Sequence, residues 1–133
     1  MHERDDAAAE MLRLVARIAG FRRQPGLLVF VQNGSAILDV PKFDVASYVR
    51  TVDGIGLKDT FYFSDADENN SLEIQADVVD LMTAFTFNGK RVLAVDYVTD
   101  EAKVADFCAR ARAEEFVPLV TMRALDRVPE PYP

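Results

Sequence analysis

Four short apolar runs, separated by similar intervals, constrain the fold of this chain more than any other feature. They begin at Leu27, Val52, Val92 and Val117, and successive starts lie 25, 40 and 25 residues apart. Neighbouring parallel strands need a crossover connection of about a dozen residues or more, usually a helix, and each interval has room for one. The spacing therefore predicts consecutive βα units and a parallel sheet, that is, an α/β fold of about four units.

Helical patterns occupy the segments between these runs. The predicted helices are one with Met11, Leu14, Val15 and Ile18 on a single face, one over residues 43–49, one that begins with the capping-box spacing of Asn70 and Glu73 and continues to Phe85, and one capped by Thr99 or Asp100. The predicted strands cover residues 27–31, 52–57, 91–95 and 116–120. We expect a single domain over residues 1–128 and a loose, proline-rich tail at 129–133.

Composition excludes several classes of function. The 133 residues carry a net charge of −7, which argues against nonspecific binding of nucleic acid or of an anionic membrane. The single cysteine, Cys108, excludes an intrachain disulfide, and the single histidine, His2, leaves little for histidine-based catalysis. The acidic start lacks the pattern of a secretory signal, so we expect a cytoplasmic protein. No pattern indicates a cofactor.

Polar side chains follow each predicted strand, where the carboxyl ends of parallel strands meet at one edge. They are Gln32 and Asn33, Lys58 and Asp59, Asp96 and Tyr97, and finally Thr121 and Arg123. Amides and carboxylates bond to hydroxyl groups, and an aromatic ring covers the apolar side of a sugar. The set therefore indicates a sugar-binding site, and ordinary solvated strand ends are the alternative.

Several of these residues also have a purely structural interpretation. Lys58 is a sugar contact, or it is a solvated strand end or a partner of Asp59 or Asp96. Asp96–Tyr97 serves either a ligand or packing. Asp53 is expected to fix the entry to its strand, and Cys108 to be a buried hydrophobic residue. The 65–76 segment has the spacing of a calcium loop at five positions, which are Asp65, Asp67, Asn69, Ser71 and Glu73. However, Asn70 replaces the turn glycine and Ala76 the bidentate glutamate. We expect no metal site.

Three blocks of sequence, in order, resemble a known family of enzymes. They are VDGIGLKDTFY at 52–62, GKRVLAVDYVTD at 89–100 and FVPLVTMRALD at 116–126, and LLVFVQNGSAIL at 27–38 is similar to the strand that precedes them. Together they resemble the C-terminal part of the polygalactosaminidase-like glycosidases, glycoside hydrolase family 114. The resemblance runs from about Met11 to Leu125.

This resemblance implies half of a (β/α)8 TIM barrel that acts on amino-sugar polysaccharides, in a family whose members are often secreted. A complete barrel of this kind usually needs about 250 residues, so the missing half or self-association would have to cover the sheet. The family's first half supplies a catalytic aspartate, and Lys58 stands where relatives have a glutamate. Asp59, the next residue, is a weak candidate to replace that catalytic glutamate, because adjacent strand residues point to opposite faces unless a bulge intervenes.

Three functional hypotheses follow. The chain belongs to a glycosidase that is incomplete or inactive by itself, because hydrolysis needs two carboxyl groups. Alternatively, it is a noncatalytic carbohydrate-binding or interaction remnant, which Lys58 favours. The third hypothesis, a doubly wound binder of small molecules, lacks a glycine-rich phosphate loop.

Overall fold

The computed structural model describes residues 6–20 and 26–128 of the chain, in which helices and strands alternate. In chain order the elements are α1 (Ala7–Gly20), β1 (Phe30–Gln32), a 3₁₀ helix (Ser35–Asp39), α2 (Val45–Thr51), β2 (Gly54–Lys58), α3 (Ala76–Leu81), α4 (Thr83–Thr86), β3 (Arg91–Asp96), α5 (Glu101–Ala113) and β4 (Val117–Val120). His2 and the tail predicted at 129–133 lie outside the described residues.

The four strands form one sheet in the order β1-β2-β3-β4, and every neighbouring pair is parallel. The α/β fold class is therefore confirmed, with the arrangement of half a βα barrel. The strand starts predicted at Leu27 and Val52 are too early, since β1 begins at Phe30 and β2 at Gly54. In front of β2, the Asp53 carboxylate accepts a hydrogen bond of 2.6 Å from the Val29 amide. This contact agrees with the strand-entry role predicted for Asp53.

One face of the sheet, which we call the covered face, packs against helices. Its side chains are those of Ile55, Leu57, Val92, Ala94, Asp96 and Val120, all buried. The apolar side chains among them join one core with residues of α2 to α5, including Phe85 and Phe107, which are completely buried. Cys108 is buried in the same core on α5, as predicted, and burial raises the pKa of its thiol.

The other face, which we call the open face, is not covered by any element of the described chain. Side chains alternate along each strand, and the strand register groups Phe30, Gln32, Gly54, Gly56, Lys58, Leu93, Val95, Val117 and Leu119 on this face. The Phe30 ring packs against Gly54, where a side chain would collide with that ring and with the Arg91 carbonyl oxygen. At Gly56 a Cβ would have no contact nearer than 3.9 Å, so a shallow groove remains.

The apolar face predicted for α1 is only partly buried. Val15 is buried, whereas Met11, Leu14 and Ile18 are each about half exposed. Among the described helices, none combines the length and the apolarity that a membrane crossing requires.

The helix expected to begin at Asn70 begins instead at Ala76, so that prediction is wrong. The reason is local pairing: Tyr62 and Leu72 form an antiparallel bridge, and the Glu73 amide donates to the Phe61 carbonyl oxygen. These bonds use backbone groups that a helical first turn would need. Consequently the Asn70 side chain caps nothing; it is buried and bonds to no described residue.

Two other helix starts are set by aspartate caps. The Asp44 carboxylate accepts a hydrogen bond from the Ser47 amide, so α2 begins two residues later than predicted. The Ser47 hydroxyl also donates to this carboxylate, and that bond, followed by the amide bond, lowers the pKa of Asp44. Asp100, one of the two predicted caps, accepts from the Lys103 amide at the start of α5.

Candidate functional site

A cavity of about 360 Å³ opens at the carboxyl ends of β1 and β2, where the sequence places its first candidate residues. The cavity is lined by Asn33, Gly34, Ser35, Leu57, Lys58, Asp59, Phe63, Gln75 and Val78. Its volume lies at the lower end of the range of roughly 300–1,000 Å³ typical of ligand sites. The structure thus brings together three predicted residues, Asn33, Lys58 and Asp59.

Lys58 is the last residue of β2 and belongs to the open face, so its side chain projects toward the inner side of the half-barrel rim. It is exposed, and the described chain gives its ammonium group no ion-pair partner. Neither of the pairings considered from the sequence, with Asp59 or with Asp96, is formed, because both carboxylates have other partners. Lys58 is therefore a solvated cation beside the cavity.

The turn that follows β1 presents Asn33 to the same cavity. Asn33 and Gly34 both have positive φ angles, 57° and 72°, which asparagine and glycine tolerate better than other residues. The Asn33 amide donates to the Gly56 carbonyl oxygen at 2.7 Å and anchors the turn on β2. The Asn33 and Ser35 side chains have no hydrogen bond to another described residue, so their polar groups are available. Gln32 precedes them on the open face and is exposed, outside the cavity lining.

Asp59 lines the cavity because the backbone leaves the strand conformation directly after Lys58. Its φ angle is 54°, in the left-handed region, while its amide still donates to the Val95 carbonyl oxygen. The alternation expected of consecutive strand residues ends there, and no bulge is needed to bring Asp59 beside Lys58. Its carboxylate, however, forms an ion pair of 2.9 Å with Arg123, and its side chain is only 10% exposed.

Arg123 fastens the loop after β2 to the segment after β4. Besides Asp59, its guanidinium donates to the Ser64 carbonyl oxygen at 2.8 Å, and it lies 4.3 Å from the centre of the Tyr97 ring. The hydrogen bond to Asp59 raises the pKa of Arg123, and burial raises that of Tyr97. Tyr97 is 5% exposed. Arg123 and Tyr97 thus pack against each other and neither lines the cavity, while the sugar contacts suggested for both by the sequence stay predictions.

Asp96 lies at the end of β3 but on the covered face, with no exposed surface. Its carboxylate accepts hydrogen bonds from three successive amides, those of Thr60, Phe61 and Tyr62, at 2.7, 2.9 and 2.9 Å. Burial raises the pKa of Asp96, while these amide bonds act in the opposite direction. Asp96 is therefore a positioning residue that fixes the loop after Lys58, and it does not reach the cavity.

The first part of the 65–76 segment, which was compared with a calcium loop, packs against the start of α5. The Asn69 side-chain oxygen accepts from the Thr99 and Asp100 amides at 2.9 and 2.7 Å. The Lys103 ammonium donates to the Asn69 and Asn70 carbonyl oxygens at 2.7 and 3.0 Å. Within residues 6–20 and 26–128, no group of three or more histidine, cysteine or acidic residues could hold a metal ion.

Sequence reasoning missed Ser35, Phe63, Gln75 and Val78 as parts of the cavity. Phe63, which is 42% exposed, is the third of three consecutive aromatic residues at 61–63, and this run is the sequence signal that could have identified it. Gln75 is brought to the cavity because the 71–75 segment pairs with the 60–63 segment, and its amide donates to the Thr60 carbonyl oxygen. The sequence pattern gives no local signal for that pairing.

Comparison with known proteins gives relatives without an assigned activity. No family model matches the chain. It is 29% identical over 139 residues to an uncharacterized protein of Methanocaldococcus jannaschii, with 96% of this chain and 39% of that protein covered. It is 27% identical over 127 residues to an uncharacterized protein of Deinococcus radiodurans, with 94% of this chain and 39% of the relative covered. The chain thus spans about two fifths of the length of these curated relatives.

Proposed function

We propose that this chain is a glycosidase-like half-barrel that binds carbohydrate at the carboxyl ends of β1 and β2 and does not by itself hydrolyse glycosidic bonds. The observation that carries the proposal is the cavity beside Lys58, in which free polar side chains and an exposed aromatic ring lie together. The proposal joins this geometry to the resemblance described above to the polygalactosaminidase-like family.

The lining suits a sugar because it combines directional polar groups with an apolar surface. Asn33 and Ser35 can donate to and accept from hydroxyl groups without breaking a bond within the described chain. Phe63 offers a partly exposed ring for the apolar side of a pyranose, with Val78 nearby. Sites for small molecules commonly have this mixture of apolar lining and a few polar groups.

Hydrolysis by this chain alone is disfavoured by the state of its two carboxylates at the strand ends. A glycosidase needs one carboxyl group as acid and a second as nucleophile or base. Asp59 is held by Arg123, and Asp96 is buried and bound to three amides. Lys58, which stands where relatives have a glutamate, offers an ammonium group instead of the second carboxyl group.

Isothermal titration calorimetry with neutral and amino-sugar oligosaccharides tests the proposal. We expect Phe63→Ala to weaken binding by about tenfold, the loss that corresponds to roughly 1.4 kcal/mol of ring contact. Phe87→Ala is the matched control, because Phe87 is 91% exposed and lies outside the cavity lining. Absence of binding to all of these sugars, or an equal effect of the two variants, would contradict the proposal.

A second candidate function, hydrolysis after completion of the barrel, is favoured by the open face. Apolar side chains of this face and of α1 are exposed, and additional βα units would cover them while supplying new strand ends. The completing partner would be a missing half-barrel or a second copy of the chain.

Mixing experiments separate the two candidates. This chain, as wild type and as Lys58→Glu, is combined with the part of the Methanocaldococcus jannaschii relative that it does not match, and release of reducing ends from oligosaccharides is measured. Cleavage that appears only with Lys58→Glu supports a completed glycosidase whose acid has been lost. No cleavage in any mixture leaves carbohydrate binding as the function.

A further inference from the structure

The structure points to a carboxylate-bearing sugar as the ligand of the cavity, with the Lys58 ammonium as the group that selects the acid. This inference deepens the proposed carbohydrate binding and rests on it. It also differs from the amino-sugar substrate that the family resemblance implies, since a free amino group would meet a like charge at Lys58.

The first argument concerns the basic groups at the carboxyl end of the sheet. Arg123 is committed to Asp59 and to the Tyr97 ring, and Lys103 donates to the Asn69 and Asn70 carbonyl oxygens. Lys58 has no such partner within the described chain. It is therefore the basic group among these three whose charge is left for a ligand.

The second argument concerns the acidic groups that could neutralise Lys58. Asp59 is next to it in sequence and lines the same cavity, but both of its oxygens face the Arg123 guanidinium, at 2.9 and 3.4 Å. Asp96 points to the other side of the sheet, into the amides of residues 60–62. Within residues 6–20 and 26–128, the two strand-end carboxylates thus serve structural contacts, and no acidic group pairs with Lys58.

The third argument concerns the other side chains that line the cavity with Lys58. Asn33 and Ser35 supply hydroxyl-binding groups on one side of the cavity, while Phe63 and Val78 supply apolar surface. A uronic acid residue has the matching parts: a ring with an apolar side, several hydroxyl groups and one carboxylate. An ammonium group recognises a carboxylate through a charge-assisted hydrogen bond, roughly twice as strong as a neutral one.

The experiment compares acids with their uncharged counterparts. Tetramers of galacturonic acid and of glucuronic acid, the methyl esters of both, and a glucosamine tetramer are titrated into the chain by calorimetry at low and at moderate salt. We expect at least one acid to bind about tenfold more tightly than its ester, with a preference that shrinks as salt rises. The glucosamine tetramer should bind most weakly of the set.

Three variants assign the preference to Lys58. Lys58→Gln should bring the acid and the ester to equal affinity, whereas Lys58→Arg should keep most of the preference. Lys90→Gln is the matched control, because it removes the same charge just before β3, at the opposite end of the sheet. It should leave the preference unchanged.

The outcomes distinguish this inference from the proposed function. If the esters bind as tightly as the acids, or if Lys58→Gln retains the preference, carbohydrate binding stands and the selection of acids by Lys58 is wrong. If none of the five tetramers binds, this inference and the proposed function are both overturned.

Discussion

The two faces of the sheet come from the same strands and are both largely apolar, yet their environments differ. Along β3, Val92 and Ala94 on the covered face have no exposed surface, whereas Leu93 and Val95 on the open face are partly exposed. Along β4, Val120 is 5% exposed and Leu119 is 43% exposed. The helices account for this difference, since they pack their apolar residues against one face only.

This difference shows that the described chain has a hydrophobic core on only one side of the sheet. A barrel strand is apolar on both faces because helices cover one face and the remaining strands of the barrel enclose the other. In the part of this chain that the structure describes, only the helices are present. The covered face should therefore determine stability, and the open face should determine association.

The largest expected effect is the loss of a large helix side chain from the core between the covered face and the helices. Phe107 is completely buried and lies 6.0 Å from the Phe61 ring, edge against face. We expect Phe107→Ala to lower the free energy of unfolding by about 3–5 kcal/mol, as the cavity it leaves cannot fully collapse. Leu119→Ala, on the open face, should cost at most about 1 kcal/mol. Urea denaturation of both variants measures the loss in the free energy of unfolding. Equal losses would contradict the difference between the two faces.

The covered face is also the part of the molecule that the sequence predicted best. Continuous apolar runs and helical periodicity indicated the parallel sheet, and Cys108 was correctly expected in the core. The start of α3 was wrong because the 71–75 segment pairs with residues 60–63, and no local pattern shows that preference.

The positions of the strand ends agree with the sequence analysis, whereas the sugar-binding role given to their residues stays a prediction. The sequence analysis predicted that Asn33, Lys58 and Asp59 lie together at the strand ends, and in the structure all three line one cavity. It did not show that Asp59 pairs with Arg123, because the two residues are 64 positions apart and their contact depends on a left-handed turn at Asp59. Long-range pairs of this kind are decided by tertiary geometry.

The next effect concerns the buried carboxylate at the end of the covered face. Asp96→Asn replaces one of the two carboxylate oxygens with an NH₂ group. An NH₂ group cannot accept a hydrogen bond from the Thr60, Phe61 or Tyr62 backbone amides. We expect a loss of about 1–3 kcal/mol in the free energy of unfolding, the cost of an unsatisfied buried group. Asp44→Asn is the control, since asparagine caps a helix about as well as aspartate. If both variants unfold at the same urea concentration, Asp96 does not hold the loop as described.

A smaller effect is expected where the loop after β2 is tied to α5. The Tyr62 hydroxyl donates to Asp106 at 2.6 Å, and burial together with this bond raises the pKa of Tyr62 to about 12. Tyr62→Phe should cost about 0.5–1.5 kcal/mol at neutral pH. Because the pKa is higher in the folded chain, the contribution of Tyr62 is complete below pH 10 and is lost as the pH rises toward 12.

Ultraviolet absorbance of tyrosinate, recorded immediately after a rapid pH jump, checks this pH dependence. The ionisation step near pH 12 should lose amplitude in Tyr62→Phe. The same bond lowers the pKa of Asp106, after the stronger effect of Arg110, so Tyr62→Phe should also raise the Asp106 pKa. A wild-type chain whose tyrosines all ionise near pH 10 would contradict the role given to this hydrogen bond.

The smallest effect on stability, and the sharpest test of the open face, is a charge placed on it. Leu119→Glu should change the free energy of unfolding by no more than about 0.5 kcal/mol, since the side chain is already 43% exposed. It should nevertheless abolish concentration-dependent growth in size, measured by light scattering, because a carboxylate cannot be buried unpaired against another apolar sheet. Val128→Glu controls for added negative charge, as Val128 is 92% exposed and lies outside the sheet. If the wild-type chain is a monomer at every concentration and binds no apolar dye, the open face is stable in water, and the contrast between the two faces concerns folding alone.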